Sequence, residues 1–230
     1  ACSRQLEALE KIMLFDLELV VDTYIFSLMD ALARGQKELE EYTEGLEETV
    51  AQRTQELADL ASRDGLTGLA NQRSFYEALR RETARTLRTQ GKIALLYLDL
   101  DGFKAVNDTL GHQRGDEILL AVADIIRKVV RTEDIAARYG GDEFCILLPH
   151  SGGAEAKKVA QRLIQAFTLE PRLSGTEVSL SIGIAAENWD DLRDGDLLVK
   201  KADAAMYLSK KIPGHTVTVA GQASEPPHAP

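Results

Sequence analysis

Four acids stand out by their spacing. Asp142 and Glu143 are adjacent and follow Gly140-Gly141, while Asp99 and Asp101 alternate and precede Gly102. Each pair borders an apolar run: Cys145-Ile146-Leu147-Leu148 in the first case, Ile93-Ala94-Leu95-Leu96-Tyr97-Leu98 in the second. Carboxylates at a strand end can share a hard cation, and a glycine beside them lets backbone approach a ligand that any Cβ would hold off. The chemistry that suits this combination is a metal-bound phosphate held close to the chain. Lys104 adds a cation, and Asn107 adds an amide that can both donate to and accept from a base edge. Either pair alone reads as well as a solvated polar turn; two pairs at the ends of apolar strands favour a metal site.

The elements that must position these residues follow from the periodicity. Arg138-Tyr139-Gly140-Gly141-Asp142-Glu143-Phe144 lies between two short apolar runs and predicts a β-hairpin with Gly140-Gly141 at its turn. The run from Ile93 to Leu98 predicts a central strand covered on both faces. Amphipathic helices are predicted over 72–89, with Phe75, Leu79 and Leu87 inward, from Gly111 to about Val130, and over 154–168. A strand from Glu177 to Ala186 and a helix from Gly195 to Lys211 complete the pattern. The alternation predicts an α/β domain of mixed α+β type, a central mixed sheet flanked by helices.

Residues 4 to about 62 contain no proline and only Gly35 and Gly45, so they predict a long helix. Its first half is apolar on almost every side, and such a helix must be buried against another subunit or domain. Leu32, Leu39, Leu46, Val50, Leu57 and Leu60 then fit a heptad seam with polar Gln36, Thr43 and Arg53 in it, a marginal parallel coiled coil. A neighbouring seam keeps Leu39, Leu46, Arg53 and Leu60 but substitutes Tyr42, Thr49 and Glu56 for Val50 and Leu57, so one helix offers two rotational settings.

The net charge of −10 is concentrated in this helix: residues 1–62 carry 14 acids and 5 bases, leaving 23 acids and 22 bases for the remainder. A nearly neutral remainder does not repel a nucleoside triphosphate, and a broad basic face for nucleic acid is not evident. Cys2 and Cys145 form neither a metal spacing nor a disulfide framework, as expected in a reducing cytoplasm. The most apolar run, Leu17 to Met29, is broken by Glu18 and Asp22, so no membrane span is expected. The start lacks the form of a signal peptide. The tail from Ala220, with Pro226, Pro227 and Pro230, is expected to be disordered.

The tip Gly140-Gly141-Asp142-Glu143-Phe144 resembles the signature of the GGDEF family, the diguanylate cyclases, and further family features recur in order. Asp64-Gly65-Leu66-Thr67-Gly68-Leu69-Ala70-Asn71 resembles the opening Asp-x-Leu-Thr-x-Leu-x-Asn motif and marks a boundary, with 1–62 a signalling helix, 63–219 the cyclase domain and 220–230 the tail. The resemblance implies a nucleotidyl-cyclase palm-like fold and the condensation of two GTP into cyclic di-GMP by a homodimer. It implies that Asp99, Asp142 and the Leu100 carbonyl hold Mg²⁺, with Mn²⁺ an alternative, and that Glu143 supports the site. Asn107 and Asp116 would read the guanine edge. Phe103, Lys104, Gly140, Gly141 and Lys210 would contact the nucleotide. The family ending, Gly-Arg-Asn soon after the lysine, is here Lys210-Lys211-Ile212-Pro213-Gly214-His215, which removes the arginine of one implied phosphate contact.

Arg131 and Asp134 form an Arg-x-x-Asp nine residues before Gly140, where the family carries its inhibitory product site, and Arg162 matches a second arginine for the same ligand. Arginine can fork onto phosphate or a guanine Hoogsteen edge, and aspartate can accept from guanine N–H groups. Residues 11 to 25 resemble the last helix of a globin sensor domain of the kind found in globin-coupled sensors, although no histidine precedes His112 to ligate haem. The alternative to an active cyclase is a catalytically silent GGDEF module that binds GTP or cyclic di-GMP as an interaction domain.

Overall fold

A computed structural model describes residues 62–221 without interruption and, upstream, positions 20, 21, 23–29, 32, 34–37, 39, 42, 43, 45–47, 49, 50, 52 and 53. Most of the globin-like stretch (11–19 and 22), Leu57 and Leu60 of the seam, and the tail beyond Gly221 lie outside the described residues. The chain divides into two compact units, Ala1–Leu60 and Ala61–Pro230. In the first, the described residues are helical, and Tyr24, Phe26, Met29, Leu32, Leu39 and Val50 are exposed. Among the described residues, no helix is long and apolar enough to cross a membrane.

The second unit is built on a five-stranded sheet. Its strands are β1 (Lys92–Asp101), β2 (Ile135–Gly140), β3 (Glu143–Pro149), β4 (Ser179–Asn188) and β5 (Thr216–Val219). They lie in the order β2-β3-β1-β4-β5, antiparallel except for the parallel β4/β5 pair, so the mixed sheet expected from the pattern is present. Around it are α1 (Gln72–Thr89), α2 (Phe103–Leu110), α3 (His112–Val129), α4 (Gly153–Thr168) and α5 (Gly195–Ser209).

β1 is the axis because its run of apolar residues has two faces to bury. Ala94, Leu96, Leu98 and Leu100 join Phe144 and Ile146 under α3 and α4. Ile93, Leu95 and Tyr97 join Cys145 and Leu147 under α1 and α5, where Phe75, Leu79, Ala202 and Met206 pack. Each fully buried leucine side chain contributes about 1.5–3 kcal/mol of transfer free energy. The strict alternation of faces carries Asp99 and Asp101 to the side of α1 and α5. α5 comes so close at Gly183 that a Cβ there would lie 2.0 Å from the Ala202 carbonyl oxygen.

Local chemistry sets the ends. Asn71 caps α1 by accepting from the Ser74 N–H, and Asp194 caps α5 by accepting from the Asp196 N–H. Glu155 reaches back from the first turn of α4 to the Gly152 N–H.

Two expectations need correction. Leu87 is exposed, since only the Phe75 and Leu79 side of α1 meets the sheet. The hairpin turn is Gly141-Asp142 and not Gly140-Gly141: Gly140 is still paired with Glu143, after a bulge that leaves Tyr139 as the extra residue of β2. The Asp101 carboxylate accepts from Ser181 Oγ at 2.7 Å and Ser179 Oγ at 3.2 Å on β4.

Candidate active site

β1 and β3 are registered so that Asp99 lies directly opposite Glu143, and β4 places Ser181 on the other side of Asp99. Asp142 occupies the adjacent turn, so two strand ends and a turn converge on one carboxylate cluster. Asp99 is 4% exposed and forms an ion pair with Lys210, whose Nζ lies 2.7 Å from Asp99 Oδ2. Burial, with the nearby charges of Asp142 and Asp101, pushes the Asp99 carboxyl up, and Lys210 opposes that shift. For Lys210, burial lowers the ammonium pKa, but the Asp99 hydrogen bond and the charges of Asp99, Asp101 and Asp142 outweigh it and leave it raised. The cluster is an excess of negative charge drawn to any cation brought near it.

Among the described residues, no group of three or more His, Cys, Asp or Glu side chains makes a cage for a metal. The hard oxygens at hand are the carboxylates of Asp99, of Asp142, whose charge acts on Asp99, and of Glu143, opposite Asp99 in the sheet. Such a partial set of hard oxygens fits a hard divalent cation that keeps waters of its own.

The tip that carries Asp142 is fixed from behind. Arg138 Nε and Nη2 donate to the Gly141 carbonyl oxygen at 3.0 and 2.8 Å, while its Nη1 donates to Asp64 at 3.2 Å from both carboxylate oxygens. Asp64 also accepts from the Thr67 N–H at 2.8 Å and hydroxyl at 2.6 Å. Although burial works the other way, the Thr67 and Arg138 bonds hold the Asp64 carboxyl below its ordinary value. The opening motif is thus tied to the turn. Below it, the hydroxyls of Tyr76 and Tyr139 are 2.6 Å apart and the Tyr139 ring packs on Phe75 and Tyr97. Burial pushes the Tyr97 hydroxyl far up, so it stays protonated.

α2 begins directly after Gly102, whose φ of 78° favours glycine and whose Cβ would meet the Glu177 carbonyl oxygen at 3.1 Å. The Phe103 ring is buried in the core beneath α3, so Phe103 can offer a ligand its backbone N–H and not its side chain. Lys104 is exposed, Asn107 is half-buried against Gly115 of α3, and Asp116 is exposed beside it. His215 faces the sheet: its Nδ1 accepts from the Leu180 N–H at 3.0 Å and its ring packs edge-on against Phe167. Burial lowers its pKa, against the pull of Asp101.

Arg131, Asp134 and Arg162 meet elsewhere, in an open recess of about 250 Å³ that Ser151, Glu155 and Lys158 also line. The Arg131 N–H donates to Asp134 Oδ2 at 2.7 Å, and Arg162 Nη2 donates to the Val129 carbonyl at 3.1 Å. Burial raises the Asp134 carboxyl. Lys158 stands one helical turn before Arg162, a spacing that could have disclosed it. Arg138, Ser179 and Ser181 gave no such signal, because their partners are distant in sequence.

The chain is 37% identical over 201 residues to the bifunctional diguanylate cyclase/cyclic di-GMP phosphodiesterase MucR of Pseudomonas aeruginosa, covering 86% of this chain and 28% of that protein. It is 36% identical over 163 residues to the diguanylate cyclase DgcS of Shewanella oneidensis, covering 70% of this chain and 53% of the relative. The chain thus spans between about a quarter and about half the length of these two relatives. Among solved structures, the coiled coil and GGDEF domain of DgcB from Caulobacter crescentus, in complex with c-di-GMP, superposes with a TM-score of 0.71 at 31% identity. That match covers 80% of this chain and 98% of DgcB's. The family model described as diguanylate cyclase, GGDEF domain, matches residues 61–215, a span that contains the whole carboxylate cluster with its lysine, and the chain belongs to that family.

Proposed function

We propose that this chain is the catalytic part of an active, Mg²⁺-dependent diguanylate cyclase that joins two GTP into cyclic di-GMP with release of pyrophosphate. The observation that carries this reading is the convergence of Asp99, Glu143 and Asp142 with Lys210 on one side of β1. In it, Asp99, Asp142 and the Leu100 carbonyl hold the cation and Glu143 supports them. The metal would neutralise triphosphate charge and favour ionisation of the attacking 3′-hydroxyl. Lys210 and Lys104 balance phosphate charge, Gly140 and Gly141 let backbone approach, and Asn107 and Asp116 hold the guanine.

Each domain binds one GTP, so the 3′-hydroxyl held by one copy must reach the α-phosphorus held by another. A homodimer through the N-terminal helix meets that need, and the exposure of Leu32, Leu39, Leu46 and Val50 in the single chain supports it. The recess at Arg131, Asp134 and Arg162 would take the product and inhibit. We assign residues 1–62 to signalling, 63–219 to catalysis and 220–230 to a tail of a cytoplasmic protein, with the globin-like start as the end of an input domain.

Incubation of the purified chain with GTP and Mg²⁺ tests the whole. Cyclic di-GMP should form, with a rate that rises more than linearly with protein concentration; GTP binding without product would leave the silent-module reading. For the coil, a polar residue at Val50 should change turnover while light scattering still reports a dimer. Unchanged turnover in such a dimer reduces the helix to a tether.

A further inference from the structure

We infer that Gly115 is a positioning residue for base recognition: the space it leaves open is the seat of the Asn107 amide. The inference rests on the reading above, in which Asn107 and Asp116 hold the guanine. An ideal Cβ on Gly115 would stand 2.0 Å from Asn107 Oδ1, 3.0 Å from Asn107 Cγ and 3.2 Å from the Phe103 ζ carbon. The first distance is well inside van der Waals contact, so even a methyl group at 115 expels the amide from its place. Phe103 cannot make room, because its ring is buried in the core.

Local structure gives no other reason for a glycine. Gly115 lies early in α3 without a positive φ, and alanine is the better helix former there. Gly111, four residues earlier, makes the contrast: its φ is 84° and nothing lies within 4 Å of its would-be Cβ, so conformation alone accounts for it. Gly115 is explained only by what sits against it. The next residue is Asp116, on the same turn. The amide of α2 is thus seated against the residue next to Asp116, which is the placement the proposed base recognition requires.

The test uses the full chain with Mg²⁺ and 3′-deoxy-GTP or 3′-deoxy-ATP, which lack the attacking hydroxyl and so report binding without turnover. Asn107→Ala and Gly115→Ala should each lower the preference for the guanine nucleotide about tenfold, the order expected for lost hydrogen bonds, with the adenine affinity unchanged. The double variant should be no worse than Asn107→Ala, since the displaced amide is already gone. An unaltered preference in Gly115→Ala, or losses that multiply in the double variant, overturns the inference while leaving the role of Asn107 intact. An unaltered preference in Asn107→Ala refutes the underlying reading, and the inference with it. Should Gly115→Ala fail to fold, folding of the double variant supports the conflict with Asn107. Failure of both assigns the glycine to Phe103 packing and overturns it.

Discussion

β2 ends in two regions of opposite character. At its C-terminal end the turn presents Asp142 and Glu143 beside the buried Asp99, whereas its N-terminal end emerges from the recess where Arg131 and Arg162 stand with Lys158. Six strand residues, roughly 20 Å at about 3.3 Å each, separate them. Both suit phosphates, by different means. In the proposed reading the acid end would need a cation between itself and a phosphate, whereas the arginine end would meet a phosphate directly through forked N–H groups. Turnover demands reorganisation around a reacting phosphorus, and storage of a finished product does not. The sign of the charge therefore separates the region proposed to react from the region proposed to hold.

The sharpest break of that comparison is Asp142→Asn. It should cost at least about 10²-fold in kcat, the order lost when a charge-stabilising group leaves a reacting centre. The melting temperature and the affinity of the recess for cyclic di-GMP, by calorimetry, should not move. Loss of both binding and turnover would mean that the two ends are one site. Next, Arg131→Ala should weaken cyclic di-GMP binding about tenfold to a hundredfold through lost charged hydrogen bonds. Initial rates in the absence of product should be retained, which progress curves with and without added product would show.

A smaller effect concerns what holds the acid end. Asp64→Asn removes the partner of Arg138 and should cost about 1–2 kcal/mol at neutral pH. The folded carboxyl of Asp64 is held below the ordinary value of 3.8, so its contribution is full above that value and disappears as pH falls through the lower, folded one. Urea titrations of both proteins should therefore converge in acid. Smallest is His215. Its folded pKa is below 6.5, so the stability it contributes is full above 6.5 and declines as acidification protonates the Nδ1 that accepts from Leu180. His215→Asn should lose less than the parent between pH 7 and pH 5, by about 1 kcal/mol or less.

What the sequence discloses divides along similar lines. The long apolar run of β1 and the amphipathic stretches of α1, α3 and α4 show their periods locally, and each is present within a few residues of the expected bounds. α2 was hidden because it is only eight residues long and follows β1 almost directly, and only Phe103 and Val106 tie it to the core. β5 is four residues that exist as a strand by pairing with β4. The acids were visible as pairs, but the serine partners of Asp101 lie on β4 and could not be read from the pairing. Arg138 stands two residues before the signature, yet its tie to Asp64 spans 74 residues and leaves no local mark.

The place of Asp99 in the sheet also governs when the chain can finish folding. It is flanked by Glu143 on one side and Ser181 on the other, and among the described residues its carboxylate is paired with Lys210. During synthesis at roughly 5–20 residues per second, β1 leaves the ribosome many seconds before the lysine that balances its buried acid. Burying that acid costs least once the lysine is at hand, so closure of the sheet around Asp99 is favoured only after α5 has been made. A chain cut short before Lys210 should therefore leave β1 without the partner of its buried acid.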